Sequence, residues 1–187
     1  KYLIELSEKK GEKINIHARD EYAFRFACEY GHLEVVKYLI ELSEKKGEKI
    51  NIHARDEYAF RFACEYGHLE VVKYLIELSE KKGEKINIHA QNEYAFRFAC
   101  INSHFDICNY LIELGKKEGE KINIHAKDED AFRSTCINGN IDAVKYLIEL
   151  GERKGETKID IHIHNELAFR WVCGNGQFKI VKYLIEL

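Results

Sequence analysis

Apolar residues along much of the chain recur at steps of three and four, the spacing of an amphipathic α-helix. In one such segment Leu33, Val36 and Ile40 share a helical face, whereas Glu34 and Lys37 fall on the opposite face. The pattern predicts a helix with one buried side and one solvent-exposed side. Glycines follow these segments and favour helix termination, because glycine adopts the left-handed C-terminal conformation at little cost.

A shorter helix is predicted before each of these segments. In the first complete example it runs from Glu21 to Tyr30 and ends at Gly31. Asp20 stands immediately before it, so we expect its side chain to cap the free backbone N–H groups of the first turn. The counterparts expected to cap in the same way are Asp56, Asn92, Asp128 and Asn165. The second helices are expected to end at Gly47, Gly83, Gly119 and Gly155.

The helix pairs belong to an internal repeat of 36 residues, and the sequence of 14–49 recurs without change at 50–85. Two helices cannot bury an apolar face alone, so the units must stack on one another. We therefore predict an all-α repeat solenoid in which residues 1–187 form a single array. The other units are 86–121, 122–158 with one extra residue, a shortened 159–187 and a partial 1–13.

Composition and charge narrow the class of protein. The chain is 45% hydrophobic and 33% charged, with 29 Lys plus Arg against 32 Asp plus Glu. The net charge of −3 gives no excess of basic residues that would favour binding to nucleic acid or to an anionic membrane. Lys45 and Lys46 alternate with glutamates, which favours a solvated edge.

We find no spanning apolar run or secretory signal and expect an intracellular protein. Lys1 is not an initiator methionine, so we expect a piece of a longer chain.

Cysteines and histidines recur once per unit. The cysteines are expected to be small buried core residues, together with the additional Cys108. The series are Cys28, Cys64, Cys100, Cys136 and Cys173, and His17, His53, His89, His125 and His162. For the histidines we expect structural hydrogen bonds rather than a metal site, because zinc ligands converge within about 2.3 Å of one ion and successive units lie ~10 Å apart. His162 and His164 alone supply too few ligands. No metal or cofactor is predicted.

Catalytic motifs are not found in the sequence. It has no glycine-rich phosphate loop, no nucleophile elbow and no paired acid and base. Repeated units present nearly the same groups many times, which is unlike a unique active site. We therefore expect a protein that is not an enzyme and has no catalytic residues.

Three segments resemble the ankyrin repeat. YAFRFAC stands where that family has Thr-Pro-Leu-His-x-Ala-Ala, Gly31-His32 matches the Gly-His before the second helix, and VVKYLIEL matches the core pairs of that helix. The resemblance implies helix-turn-helix units joined by hairpin loops. Relative to the family, four residues are added after the second helix, so we expect an outer helix about one turn longer. Arg25 replaces the usual histidine.

The segments INIHA and VVKYLIEL are also similar to those of ankyrin proteins encoded by giant DNA viruses of amoebae, such as mimivirus. That resemblance implies a viral protein that engages a host protein. The expected location is the host cytoplasm, with association with the virion as the alternative.

The resemblance implies a concave groove that binds a protein partner, and differences among the repeats identify its residues. Tyr22, Phe26 and Tyr30 lie four apart on one stripe of the first helix. Rows of exposed aromatic residues are typical of protein interfaces. The alternative is that these rings pack on the hairpin of the preceding unit or on the long outer helix. The predicted partner-binding residues are Arg19, Tyr22, Phe26, Tyr30, Arg55, Tyr58, Phe62, Tyr66, Gln91, Tyr94, Phe98, Asn102, Lys127, Ser134, Asn138 and Trp171.

A second functional hypothesis is a structural array that associates end to end. The chain starts inside a helix and closes on KYLIEL, with no polar unit to cover the apolar end faces. Repeat proteins need such caps for solubility, and open end faces add subunits without closure.

Overall fold

The computed structural model describes residues 14–153 and 155–187, which form ten α-helices and contain no strand. The helices are α1 (Ala18–Glu29), α2 (Leu33–Lys45), α3 (Ala54–Glu65), α4 (Leu69–Lys82), α5 (Ala90–Ile101), α6 (Phe105–Glu118), α7 (Ala126–Ile137), α8 (Ile141–Gly151), α9 (Ile163–Gly174) and α10 (Phe178–Glu186). The predicted all-α repeat solenoid is confirmed. The predicted partial unit 1–13 lies outside the described residues.

Consecutive helices form pairs, which we number repeat one to repeat five, with an inner helix first and an outer helix second. The inner helices α1, α3, α5, α7 and α9 pack closely side by side along the array. The outer helices of neighbouring repeats approach each other much less. Because one side of the stack is tightly packed and the other is splayed, the array curves toward the inner helices. These helices therefore line its concave side.

Each inner helix opens with a left-handed turn. Arg19, Asp20 and Glu21 have φ angles of 55°, 54° and 61°, and the same three positions are left-handed in every repeat. Left-handed backbone costs non-glycine residues roughly 1–2 kcal/mol each, so the turn needs compensating contacts. Arg25 supplies them: its Nε donates to the carbonyl oxygen of Asp20 at 2.7 Å, and its terminal nitrogen donates to that of Arg19 at 3.1 Å.

The predicted helix caps are wrong. α1 begins at Ala18, with His17 and not Asp20 at the N-cap position. The carbonyl oxygen of Asp20 accepts from Arg25, and its carboxylate accepts from Arg55 of the next repeat at 3.1 Å. The physical reason is the left-handed turn, which takes this residue out of the extended conformation of a cap. The same correction applies to Asp56, Asn92, Asp128 and Asn165.

The third residue of the turn joins adjacent repeats. Glu21 lies 2.9 Å from Nδ1 of His17 and accepts from the backbone N–H of Asn51 in the next repeat at 3.2 Å. The equivalent contacts recur in repeats two, three and four. The structural hydrogen bonding predicted for the histidine series is confirmed. In the described part of the chain, no group of three or more histidine, cysteine or acidic side chains is placed to hold a metal ion.

The core is a continuous column of apolar side chains from both helices of each repeat. One phenylalanine per inner helix is fully buried in the first four repeats: Phe24, Phe60, Phe96 and Phe132. Outer helices contribute residues such as Val36 and Leu75, and the connections contribute Ile52 and Ile88. Burying each large apolar side chain contributes about 1.5–3 kcal/mol, so the column drives the stacking of the repeats.

The cysteines follow the predicted burial with one exception. Cys28, Cys64, Cys100, Cys108 and Cys136 are buried, whereas Cys173 is exposed. The prediction for Cys173 is wrong because, among the described residues, no second inner helix packs on the side of repeat five that faces away from repeat four. Burial raises the pKa values of the Cys64 and Cys100 thiols well above 9.0 and keeps both protonated.

The outer helices continue into the added segment. α4 reaches Lys82 and ends at Gly83 in the left-handed conformation, and Ser79 in its last turns is buried, so the extension keeps the same face inward. α8 behaves differently, because it ends at Gly151 instead of the predicted Gly155. A Cβ at Gly151 would lie 2.9 Å from the backbone nitrogen of Ile159, so the following connection packs directly against the helix there.

Candidate functional site

Aromatic side chains form a row along the inner helices of the first three repeats. Tyr22 stacks on Phe26 with ring centroids 4.1 Å apart. The stack recurs at 4.0 and 4.2 Å in the next two repeats, as Tyr58 on Phe62 and Tyr94 on Phe98. Because Phe62 also meets Tyr94 at 5.6 Å, the row continues from repeat two to repeat three. Four-residue spacing on a helix brings the members of each stack together.

Buried arginines support this row from beneath. The guanidinium carbon of Arg25 lies 4.6 Å from the ring centroid of Tyr58, and that of Arg61 lies 4.7 Å from Tyr94. The same arginines hold the left-handed turns, so each links its own turn to a tyrosine of the next repeat. A cation placed over a ring at this distance is attracted to the aromatic face. The rings are therefore held in fixed positions before any partner arrives.

The tyrosine hydroxyls fix a second set of groups. Tyr58 donates a hydrogen bond to Glu29 of the preceding repeat at 2.7 Å, and Tyr94 donates in the same way to Glu65. Burial, and then the hydrogen bond to Glu29, raise the pKa of Tyr58 to about 12. Both phenols therefore remain protonated donors at neutral pH, and both carboxylates are held beside the aromatic row.

The sixteen predicted residues divide by exposure. Those exposed to solvent are Arg19, Tyr22, Tyr30, Arg55, Tyr66, Gln91, Asn102, Lys127, Asn138 and Trp171. Those half-buried are Phe26, Tyr58, Phe62, Tyr94, Phe98 and Ser134. Tyr58 and Tyr94 lean on the inner helix of the preceding repeat, and not on its hairpin or outer helix as the alternative interpretation expected. Tyr22, Tyr30 and Tyr66 remain exposed to solvent.

Side chains that open the inner helices also bridge adjacent repeats. Arg55 donates to Asp20 at 3.1 Å, and Gln91 donates to Asp56. His164 continues this series by lying 3.8 Å from Asp128. These pairs are solvent-exposed, so each contributes little to stability, about 0–1 kcal/mol. They set the orientation of the polar side chains along the concave edge.

The aromatic row stops at repeat four. Asp130 occupies the position of Tyr22, Tyr58 and Tyr94, and it forms an ion pair with Arg97. Ser134 occupies the position of the stacked phenylalanine. Trp171 of repeat five is exposed and makes no ring contact with any residue that the structure describes. The concave side therefore has an aromatic stretch in repeats one to three and a polar stretch in repeat four.

Sequence reasoning missed the residues that hold the row. Arg25 was interpreted only as a departure from a family pattern, and no role was predicted for Arg61, Glu29 or Glu65. Comparison of the repeats could have revealed these contacts. Glu29 and Glu65 are each followed one repeat later by a tyrosine, whereas Ile101 is followed by Asp130. Variation at paired positions within one chain indicates contact between repeats.

A family model of ankyrin repeats matches four overlapping stretches, residues 1–90, 24–128, 60–160 and 99–187, which together span the chain. The chain is an ankyrin-repeat protein. No individual curated protein matches it significantly. Ankyrin repeats are generally protein–protein interaction modules, and proteins built from them are typically non-enzymatic scaffolds.

Outside the aromatic row, this ankyrin-repeat protein has a cavity of about 120 Å³ between α6 and α8. Ile112, Ile122 and Leu150 contribute apolar lining, and Lys116 and Arg153 contribute positive charge. This cavity lies among the outer helices, away from the concave side. Within the described ranges, no helix is both long and apolar enough to cross a bilayer.

Proposed function

We propose that the chain is a non-catalytic scaffold that binds a protein partner along the concave side of its inner helices. The observation that supports this most directly is the exposure of Tyr30 and Tyr66, which are 57% and 49% exposed beside a row of rings held in place by buried arginines. Trp171 adds a third exposed aromatic anchor on repeat five. Tyrosine, tryptophan and arginine carry most of the binding energy in protein interfaces.

The mechanism is preformed shape. The rings of the first three repeats are stacked, and the hydroxyls of Tyr58 and Tyr94 are hydrogen-bonded. A partner therefore has little side-chain order to impose on the scaffold, which lowers the entropic cost of association. Contacts of modest strength on several repeats then add to a useful affinity. The mechanism requires no chemical step.

Affinity capture with three forms of the chain tests this proposal. Wild type is compared with the Tyr30→Ser, Tyr66→Ser, Trp171→Ser variant and with Val35→Ser, which removes an exposed apolar side chain from the outer helix α2. We expect quantitative mass spectrometry to show partners that bind the wild type and Val35→Ser equally and are lost from the triple variant. Equal recovery of partner proteins on all three forms would show that the concave side is not the binding surface.

The partner proposed is a host protein in the cytoplasm, with the chain acting as a viral protein. The support is the similarity of INIHA and VVKYLIEL to ankyrin proteins of giant DNA viruses. No nucleic-acid or membrane partner is proposed, because basic and acidic residues nearly balance.

End-to-end association is the second candidate. It is supported by the apolar side chains that α10 leaves exposed: Phe178 at 66%, Ile185 at 70%, and Leu187 just after it. Sedimentation velocity over a range reaching ~100 µM tests this function. Concentration-dependent growth that Phe178→Ser and Ile185→Ser abolish is the expected result, and a monomer throughout would reject the idea.

A further inference from the structure

Four side chains at the C-terminal ends of the first two inner helices form one surface, which we call the acidic aromatic patch: Glu29, Tyr30, Glu65 and Tyr66. Both rings face solvent, whereas Glu29 is only 8% exposed and Glu65 is half-buried. Each carboxylate is the sequence neighbour of an exposed tyrosine. The patch thus combines aromatic faces with negative charge that is partly withdrawn from water.

The carboxylates of the patch are oriented but not neutralised. Glu29 accepts a hydrogen bond from the hydroxyl of Tyr58, and Glu65 accepts one from Tyr94. Neither carboxylate forms an ion pair with any residue in the described ranges. A phenol donates a hydrogen bond without adding charge. The buried guanidinium groups of Arg25 and Arg61 lie against the rings of Tyr58 and Tyr94 and form no ion pair with these carboxylates, so both glutamates can accept further donors from a ligand.

The four groups of the patch lie close enough to share one electrostatic field across two repeats. The pKa of Tyr66 is raised, first by the charge of Glu65, then by burial, and then by Glu29 and Tyr30. Phe26 and Phe62 extend the apolar floor, with ring centroids 5.8 Å from Tyr30 and 6.3 Å from Tyr66 respectively. Tyr58 joins the two repeats, because it donates to Glu29 and stacks on Phe62, which in turn contacts Tyr66. The patch is therefore connected across both repeats.

We propose that the acidic aromatic patch binds a lysine or arginine side chain, so that the partner segment lying in the groove is basic at this point. This inference rests on the proposed scaffold function. A cation is attracted both to the aromatic faces and to the carboxylates, and hydrogen bonds between charged groups are about twice as strong as neutral ones. An acidic partner segment would be repelled by Glu29 and Glu65, which gives the surface selectivity against it.

The patch is confined to one end of the array. The corresponding pairs in repeats three, four and five are Ile101 and Asn102, Ile137 and Asn138, and Gly174 and Asn175. None of these carries a charge. A basic side chain is therefore accepted at repeats one and two and not further along, which sets the direction in which a partner segment lies in the groove.

The experiment begins with phage-displayed random dodecapeptides selected on the immobilised chain. We expect the recovered peptides to be enriched in lysine or arginine at one position relative to the unselected library. Their binding should be lost with Tyr30→Ser and Tyr66→Ser. A synthetic copy of the strongest peptide is then measured by calorimetry, together with a copy in which citrulline, the neutral isostere, replaces the key arginine, or norleucine replaces a key lysine.

The decisive variant is Glu29→Gln with Glu65→Gln, because glutamine still accepts the hydrogen bonds of Tyr58 and Tyr94 but carries no charge. We expect it to weaken binding of the charged peptide about tenfold, and to bind the uncharged copy as the wild type does. Glu70→Gln, on the exposed face of α4, is the matched control and should leave affinity unchanged. Urea unfolding of each variant verifies that the fold is retained.

The outcomes separate this inference from the scaffold function. Two results would overturn the proposed cation and leave the scaffold function standing. One is that the selected peptides show no enrichment in lysine or arginine. The other is that they bind the wild type and the Glu29→Gln, Glu65→Gln variant with equal affinity. Failure to recover any peptide whose binding depends on Tyr30 and Tyr66 counts against both.

Discussion

At the scale of single residues, one arginine in each of repeats one to four stabilises the left-handed turn that opens the inner helix. In repeat two, Arg61 donates to the carbonyl oxygens of Asp56 and Arg55 at 2.7 and 3.2 Å, and it lies beneath the ring of Tyr94. A single buried side chain therefore stabilises a strained turn and positions an aromatic residue of the neighbouring repeat. No other residue type offers this set of donors on a planar, permanently charged group.

Replacing Arg61 with alanine should lower the free energy of unfolding by about 2–4 kcal/mol, because two carbonyl oxygens lose their donor and Tyr94 loses its cation. Arg170 occupies the same position in repeat five but is exposed. We expect Arg170→Ala to change stability by less than about 0.5 kcal/mol. Urea unfolding measures both. Equal effects would contradict the role assigned to the buried arginine.

The histidine that precedes the turn gives stability a defined pH dependence. Hydrogen bonding to Glu21 raises the pKa of His17 above its ordinary 6.5, against the opposing effect of burial, and Glu48 adds to the increase. A pKa raised by folding means that the protonated form stabilises the folded chain. This contribution is complete below 6.5 and is lost as the pH rises through the raised pKa.

The His17→Gln variant should therefore lose more stability at about pH 5.5 than at about pH 8.5, because only the protonated imidazole adds this stability to the folded chain. Unfolding free energies of the wild type and the variant at several pH values measure the difference. Subtracting the unfolding free energy of the variant from that of the wild type at each pH removes the contributions of titrating groups that both chains share. A difference that stays constant with pH, or grows toward alkaline pH, would show that the pair has another role.

At the scale of elements, the turn between inner and outer helices is built against the next repeat. Gly67 has a φ of +81°, and a Cβ there would lie 2.5 Å from the ring of His104. Ser103 occupies the same turn position in repeat three, and there the facing residue is Asn140, whose amide donates to the serine hydroxyl at 2.6 Å. The bulk of the turn residue and that of the facing side chain thus vary together.

Two alanine substitutions separate conformation from contact at these turns. Gly83 has a φ of +68° and nothing within 4 Å of a Cβ, so Gly83→Ala should cost only the conformational term, about 1–2 kcal/mol. Gly67→Ala should cost at least about 1 kcal/mol more, because the methyl group collides with His104. Differential scanning calorimetry compares them. Adding His104→Asn to Gly67→Ala should recover part of the loss, and no recovery would place the collision elsewhere.

The helices, the buried phenylalanines and the stacking of repeats could be predicted because each follows from a short periodic pattern repeated several times. The left-handed turn could not be predicted, since no local preference places Arg19, Asp20 and Glu21 in that conformation. It is stabilised by Arg25, by His17 and by the following repeat, and a local sequence window does not contain all of these together.

The aromatic residues of the site were only partly predictable for the same reason. Helical spacing alone placed Tyr22, Phe26 and Tyr30 on one stripe. It could not show that Tyr58 would lean on Arg25 and donate to Glu29, because that contact joins positions 29 to 33 residues apart. Whether such a ring faces a partner or a neighbouring repeat depends on the packing between units.

At the scale of the whole molecule, residues 14–49 and 50–85 have the same sequence, so one full repeat can be deleted without changing the residues at the junction. Deleting 50–85 joins Lys49 to Ile86, a junction with the same flanking residues as Lys85 and Ile86. We expect a folded protein with lower stability, and a urea m-value lower by roughly the fraction of surface removed. Circular dichroism during urea titration measures both.

A deletion out of phase supplies the control. Removing residues 50–67 takes away 18 residues, half of the 36-residue period, and it places an outer-helix segment where an inner-helix entry is required. This shorter deletion should lose cooperative unfolding although it removes fewer residues. If both deletions unfold alike, stacking in register does not determine the stability of the array.

The close packing of the inner helices and the looser spacing of the outer ones give the array an uneven mechanical character. Flexing changes the gaps on the loosely packed side first, while rings cross-linked to neighbouring repeats through arginine and glutamate keep their spacing. The inner helices therefore form a stiffer layer, on the side proposed to bind a partner, and the outer helices form a more compliant one. Force applied at the ends of the array is expected to change the distances between outer helices before it changes the spacing of the rings on the inner helices.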